Sequence, residues 1–586
     1  MLKILKYLKP KEWLQALASL VFIVMQVWLD LKLPDYMQQI TTLCQTPGSP
    51  MGEIYMAGGM MLLCALGSLA AAIVVGFFAA RIGARFSRRL RSRLFNKVDA
   101  FSMAEIDHFS TASLITRSTN DVTQVQMLVT MGLQVIIKAP IMAFWAIGKI
   151  QTKAIEWTWA TAIAVAVLMI TIAFLLIFVM PKFKKMQQLT DNLNSVTREN
   201  LLGLRVIRAY NAEHYQAQKF EKANEELTAT GLFTSRAMAI MGPMMSLVMS
   251  GLSLSIYWIG ASLIQNASLF ERLGLFSNMV VFSSYAMQVI MSFIMMVMIF
   301  ILLPRANVSA KRINEVLDMP ISIRDGMETG GKEGIAGEIR FENVSFKYPD
   351  AEEKVLSNIS FTAKKGETVA FIGSTGSGKS TLINLVPRFF DATEGTVYID
   401  GLNVKDYKLE ALYNKLGYVP QRAVLFMGTI HSNVAYGENG QGDYAASAVE
   451  QAVSIAQGAE FVEKLDEKYD APVAQGGTNL SGGQKQRLAI ARAVLRKPEI
   501  YIFDDSFSAL DYKTDRVLRT ELKKQTKGVT TLLVAQRIGT IMDADRIIVL
   551  EEGHMVGNGT HKELLETSEV YRQIAASQLS EEELAR

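Results

Sequence analysis

Six apolar runs, at roughly residues 13–37, 54–82, 129–151, 156–181, 236–265 and 275–303, crowd the first 305 residues of the chain. Each supplies the about 20 apolar residues that a helix needs to cross a hydrocarbon core. Runs of this length and apolarity are candidates for membrane-crossing helices. The chain is 50% hydrophobic, and the excess lies in this half. An even number of spans puts both ends of the segment on one side. Lys3, Lys6 and Lys9 precede the first span; Arg81, Arg85, Arg88, Arg89, Arg91, Arg93 and Lys97 end or follow the second; Lys182, Lys184 and Lys185 follow the fourth. By the positive-inside rule these segments are cytoplasmic.

The connections at 38–53 and 266–274 are short and poor in Lys and Arg, as external loops are. Those at 83–128 and 182–235 are long, mixed in charge and periodically apolar, which predicts helices continuing out of the membrane as struts. No small-residue cleavage site follows a short apolar core at the start, so the first run is expected to remain as a span rather than act as a signal peptide. Cys44 is placed in an external loop and Cys64 within a span, which argues against a mutual disulfide or a metal site. Asn266 opens a three-residue glycosylation match that carries little weight.

Residues 306–337 lose the apolar runs and collect Gly326, Gly330, Gly331, Gly334 and Gly337, the composition of a linker. The expected organisation is a six-helix, all-α transmembrane domain over 1–305, a linker over 306–337 and an α/β domain over 338–586. In the last, runs such as TVAFIG and EIYIFD alternate with helical stretches, as in a largely parallel sheet.

Chemistry concentrates in that domain. After the strand-like TVAFIG comes a phosphate loop, Gly373, Ser374, Thr375, Gly376, Ser377, Gly378, Lys379, Ser380 and Thr381. Its glycines let backbone amides curl around phosphate, Lys379 is suited to the β- and γ-phosphates, and Ser380 to Mg²⁺. Asp504 ends a buried apolar strand, where a carboxylate suits Mg²⁺. Tyr348 offers a face on which adenine can stack. Gln421, in YVPQ, is placed to touch Mg²⁺ or water. Ser481, Gly482, Gly483 and Gln484 open a helix with free amides for an anion. ATP with Mg²⁺ is the implied cofactor.

The order YP, GSTGSGKST, YVPQ, LSGGQ, YIFDD and SALD behind six spans resembles the ATP-binding cassette exporters over nearly the whole chain. The resemblance implies two such domains packed head to tail, each ATP lying between one chain's phosphate loop and the other's LSGGQ, with Asp511 of the SALD segment serving the opposite site. It implies that ATP closes the pair and turns the spans outward, while hydrolysis restores the inward state. Residues 107–113 and 210–214 align with the family's coupling helices, which usually reach the partner's ATP domain.

Three positions depart from the family pattern. Asp505 stands where the family has the glutamate that deprotonates attacking water, and loss of a positioned base costs ~10²–10⁴ in rate. Gln536 replaces the histidine that contacts the γ-phosphate. Gln475, ahead of the signature, replaces an often acidic residue. With the signature intact, this pattern resembles the degenerate-site subunit of heterodimeric bacterial exporters. The expected partner is a second six-span half-transporter carrying the glutamate and the histidine, encoded nearby.

For substrate, Met287, Met291, Met295 and Met298 recur at helical spacing in the sixth span. Flexible thioethers suit varied apolar shapes, but the same stripe suits lipid or a neighbouring helix. Gln288 and Ser292 could orient a ligand or bond between helices. Lys138, inside the third run, could pair with an anionic group in the cavity, though snorkelling from near the cytoplasmic end to the headgroups is favoured. The reading is ATP-driven export of amphipathic, multidrug-like molecules from a bacterial plasma membrane, in contact with membrane lipids. Lipid or peptide export is the alternative, and a channel-like or regulatory subunit gated by slow hydrolysis is another. A net charge of +4, placed largely at membrane borders, calls for no nucleic acid.

Overall fold

In the computed structural model, residues 2–46, 48–151, 155–332, 334–349, 351–437 and 444–579 are described. They form two compact units, one of Met1–Val98 with Ala112–Asp318, the other of Asp99–Thr111 with Met319–Arg586.

Among the described residues, six helices are long and apolar enough to cross a membrane, all lying in the first unit but for the end residues Asp99 and Thr111: Pro10–Gln45, Met51–Asp99, Thr111–Gln151, Ile155–Leu202, Glu213–Asn266 and Glu271–Asp318. The second has 49 residues and the fifth 54. At about 1.5 Å per residue these are roughly 75–80 Å long, more than twice a hydrocarbon core of about 30 Å. The cytoplasmic struts are thus continuations of the spans themselves. Polar stretches such as 182–202 hold the helical pattern because an amide ladder already started propagates cheaply.

Two boundaries move. The sixth helix runs to Asp318, so residues 306–318, expected in the linker, are its last turns. The first runs to Gln45, which places Cys44 in a helical turn rather than a loop; Cys44 is exposed, Cys64 is buried, and both are free thiols. The third span carries π-helical turns at Arg117–Asp121 and Gly132–Ile136. The core of this unit joins Ile23, Val27 and Leu31 with Trp157, Ile256, Phe282 and Tyr285. Trp157 Nε1 donates to the Ile256 carbonyl at 3.1 Å, so its buried ring leaves no orphaned donor.

The second unit is α/β. A six-stranded sheet runs in the order His554–Gly559, Arg546–Glu551, Thr368–Gly373, Thr530–Val534, Ile500–Asp504, Leu416–Val419, beside an antiparallel four-stranded sheet that includes Ile339–Phe346 and Leu356–Ala363. Every neighbour pair from Arg546–Glu551 to Leu416–Val419 is parallel. Strands Ile500–Asp504 and Thr530–Val534 are buried at all five positions, as a parallel sheet covered on both faces requires. Residues 326–328 and 332 donate backbone hydrogen bonds to Asp406, Tyr407 and Asp400. The glycine-rich stretch is therefore pinned to the sheet domain rather than loose. Helix Met103–Phe109 belongs to this same unit: Glu105 accepts from the Ser102 and Ser322 amides at 2.7 and 3.1 Å.

Candidate nucleotide site

Four adjacent parallel strands deliver the site. Because they run the same way, Gly373, Val534, Asp504 and Val419 finish at one edge, with Val534 paired to Asp504 and Val419 to Phe503. The phosphate loop, Gln536, Asp505 and Gln421 follow those ends directly, the edge where open α/β sheets bind ligands.

Gly376 and Gly378 have φ of 87° and 93°, left-handed values that a side chain resists. Ser374, Thr375 and Gly376 form the exposed tip of the loop, and Ser377 and Gly378 are buried at its base. Lys379 Nζ donates to the carbonyls of Gly373 and Ser374 at 2.9 and 2.7 Å and to Ser377 Oγ at 3.3 Å. Burial pulls its pKa down, against the pull of Asp505 and Asp504. Thr381 is buried, and its hydroxyl meets the Tyr348 hydroxyl at 3.0 Å. Tyr348 also stands edge-on to Phe346 and Phe390, which fixes the ring beside the phosphate-loop helix.

Ser380 Oγ donates to Asp504 Oδ1 at 2.8 Å. A hydroxyl and a carboxylate so joined are the hard oxygen donors that Mg²⁺ prefers, so the residues present fit that ion. Asp504 and Asp505 are 5% and 7% exposed. Burial raises both carboxyl pKa values, and the Asp505 charge raises that of Asp504 further.

The two substituted positions meet. Gln536 Nε2 donates to Asp505 Oδ2 at 2.7 Å, and Gln421 Nε2 to the same oxygen at 3.3 Å. Asp505 has a left-handed φ of 45°, its amide bonded to the Val534 carbonyl at 3.0 Å and its carbonyl accepting from Ser508 Oγ at 2.8 Å. Its carboxylate is therefore held at the strand ends by a fixed backbone and two amides.

Sequence reasoning missed two residues here. Gln578, in the C-terminal stretch, accepts from the Ile538 amide and donates to the Gln536 carbonyl, both at 2.8 Å, clasping the turn that carries Gln536. Gln486 is buried and donates to the Pro420 carbonyl at 3.1 Å, tying the Gln421 loop to helix Gly482–Leu495. Neither carries a motif; both are surface-type amides whose partners are distant in sequence.

The signature turn is built separately. Ser481 Oγ accepts from the Gln484 amide at 3.3 Å and Gln484 Oε1 from the Ser481 amide at 2.8 Å, a reciprocal cap. Gly482 has open space where a side chain would stand, and Gly483 packs near the Ala509 carbonyl. Among the described residues no hydrogen bond joins this turn to the phosphate loop. Asp511 caps helix Tyr512–Gln525 through the Thr514 amide at 3.0 Å. Gln475 is exposed on a 3₁₀ turn.

Residues 14–302 match the ABC transporter transmembrane region family and residues 356–508 the ABC transporter family. An uncharacterized ABC transporter ATP-binding protein of Mycobacterium tuberculosis is 39% identical over 523 residues, 89% of this chain and 87% of that protein. The chain is an ABC exporter half-transporter. Another similar protein, named ATP-dependent lipid A-core flippase, from Hahella chejuensis, is 31% identical and covers 99% of this chain and 97% of its own length. A bacterial Atm1-family ABC exporter with ATP bound shares the fold, with a TM-score of 0.78 over 97% of this chain and 98% of the other at 24% identity. The half-transporter is a multi-pass inner-membrane protein with a cytoplasmic nucleotide-binding domain, and such exporters work as dimers of halves.

The residues expected to meet substrate lie in the other unit. Met287 is half-buried and Met291 and Met295 are 44% and 36% exposed; the Met298 side chain lies outside the described residues. Ser292 bonds the Gln288 carbonyl of its own helix at 2.7 Å. Lys138 Nζ lies 3.1 Å from Asp30 Oδ2 of the first span, an ion pair between two spans.

Proposed function

We propose that this half-transporter drives export of amphipathic small molecules with ATP as one half of a heterodimer, its own site binding ATP and Mg²⁺ but hydrolysing slowly. The observation that carries the reading is the pair of amides on Asp505. Hydrolysis needs a base reaching outward to water, and this carboxylate is one methylene shorter than glutamate and already accepts from Gln536 and Gln421. An amide at 536 cannot take up a proton, unlike the histidine expected of the family. The phosphate loop keeps its glycines, Lys379 and the Ser380–Asp504 pair, so binding groups persist where the hydrolytic ones are altered. Bound Mg²⁺ would supply charge neutralisation of the phosphates, held by Ser380 and Asp504, with Gln421 near it.

In this reading Ser481, Gly482, Gly483, Gln484 and Asp511 complete the site of a partner that brings its own glutamate and histidine. Lipid export is the second reading, favoured by the name of the 31% identical flippase. Affinity purification of the tagged chain from its native membrane, with mass spectrometry of the product, tests the pairing. Recovery of a second six-span chain in equal amount is expected; recovery of this chain alone as a dimer contradicts the heterodimer.

A further inference from the structure

Opposite charges meet inside the membrane-spanning unit. Besides Lys138 with Asp30, Lys149 Nζ lies 2.8 Å from Asp35 Oδ2, and Lys32 Nζ is 3.7 Å from the same oxygen. Ser68 donates to Asp30, and Tyr285 donates to Asp35 and to the Leu31 carbonyl. Gln288 Nε2 reaches the Asp30 carbonyl at 3.4 Å, while its Oε1 is buried without a hydrogen-bond partner. The first and third spans run outward, so this belt lies in their outer parts. Ionisable groups there are costly and by default serve function.

A second, apolar feature adjoins it. Pro140, Ile141, Phe144 and Trp145 line a groove of about 490 Å³ on the third span. Ile141 and Trp145 follow Lys138 at helical spacing and lead to Lys149, so lysines flank the groove along one helix face. The paired side chains keep between 19% and 33% of their surface exposed, within reach of a ligand.

We propose that this belt binds a zwitterionic amphiphile whose anionic group lies next to its tail and whose cationic group lies at its tip. The inference rests on the export of amphiphiles proposed above and names their chemical class. At the Lys138–Asp30 pair, one cation with one anion, a ligand of one sign would take one member and leave the other uncompensated at a partly buried site, which is strongly unfavourable; Asp35, shared by Lys149 and Lys32, keeps a lysine in either case. A ligand of both signs replaces both members at once. The order of charges follows from the placement: the tail occupies the groove on the third span, the neighbouring anion meets Lys138, and the outer cation reaches Asp30 of the first span.

The test uses the full chain in nanodiscs of anionic lipid and follows tryptophan fluorescence, with Trp145→Phe locating the signal. The probes are an alkylphosphocholine and an alkyl sulfobetaine of equal chain length, whose charges occur in opposite order, and an alkyl phosphate and an alkyl trimethylammonium of one sign each. Wild type is expected to bind the phosphocholine about tenfold more tightly than the other three. The exchanged pair Asp30→Lys/Lys138→Asp retains opposite charges and is expected to fold, bind nucleotide normally and prefer the sulfobetaine. Equal binding of all four probes by wild type, or a preference unchanged by the exchange, overturns the proposal. Neither outcome bears on ATP hydrolysis, so the export reading stands or falls separately.

Discussion

At the scale of single residues, the buried carboxylates of the nucleotide site work against the stability of the domain that holds them. Burial raises the pKa of Asp504 above 3.8, so between 3.8 and the folded value the folded state binds more proton than the unfolded chain, and above that value the ionised carboxylate is held buried at a cost. The sign is then fixed: its contribution is most favourable below 3.8 and is lost as pH rises through the higher folded value. Asp504→Asn removes this cost and keeps an oxygen for Ser380. We expect the nucleotide-free variant to melt a few degrees higher than wild type at neutral pH, with the difference vanishing in acid. Mg²⁺-dependent ATP binding should be lost. Differential scanning calorimetry across pH, with a nucleotide-binding assay beside it, checks both. An unchanged melting temperature at pH 7 would contradict the account. Gln578 acts through Gln536 rather than on nucleotide. Gln578→Ala should loosen the turn after Thr530–Val534 and raise amide exchange there by roughly tenfold while leaving ATP affinity within about twofold, as hydrogen exchange and equilibrium binding would show.

At the scale of elements, the parallel sheet makes the site by ending four strands together, and its packing leaves little room. A side chain on Gly373 would place its Cβ 2.0 Å from the Leu550 carbonyl of the neighbouring strand. Gly373→Ala therefore has to move backbone, not a flexible side chain, and should cost the domain on the order of 2 kcal/mol or more. The expected readout is a lowered melting temperature together with weakened ATP binding; Gly376→Ala, with open space beside it, should lower stability less through its φ alone. The sequence made these strands and the loop legible because hydrophobic runs and glycine spacing are local signals. It made the six spans legible for the same reason. What it hid were partners far apart in the chain. Asp30 opposite Lys138, Gln578 behind Gln536 and Gln486 beneath Pro420 carry no periodicity, so Lys138 read as a snorkelling lysine. The helical extension to Asp318 was hidden because a polar strut has the composition of a linker.

At the scale of the whole molecule, an exporter half has one phosphate loop and one signature turn, and the proposed function gives the two unequal roles in this chain. The phosphate-loop side carries Asp505 and Gln536, bonded to each other; the signature side keeps LSGGQ with its reciprocal cap. On the proposed reading, a transporter assembled from two such chains would have two slow sites, whereas one assembled with a complementary chain would have one slow and one fast. The decisive measurement is steady-state ATP hydrolysis by this chain purified alone in lipid, beside the double variant Asp505→Glu/Gln536→His, with ATP binding measured on both. The account predicts that wild type binds ATP but turns it over at least about a hundredfold more slowly than the double variant. Brisk hydrolysis by wild type alone would show that Asp505 is a competent base and contradict the degenerate site.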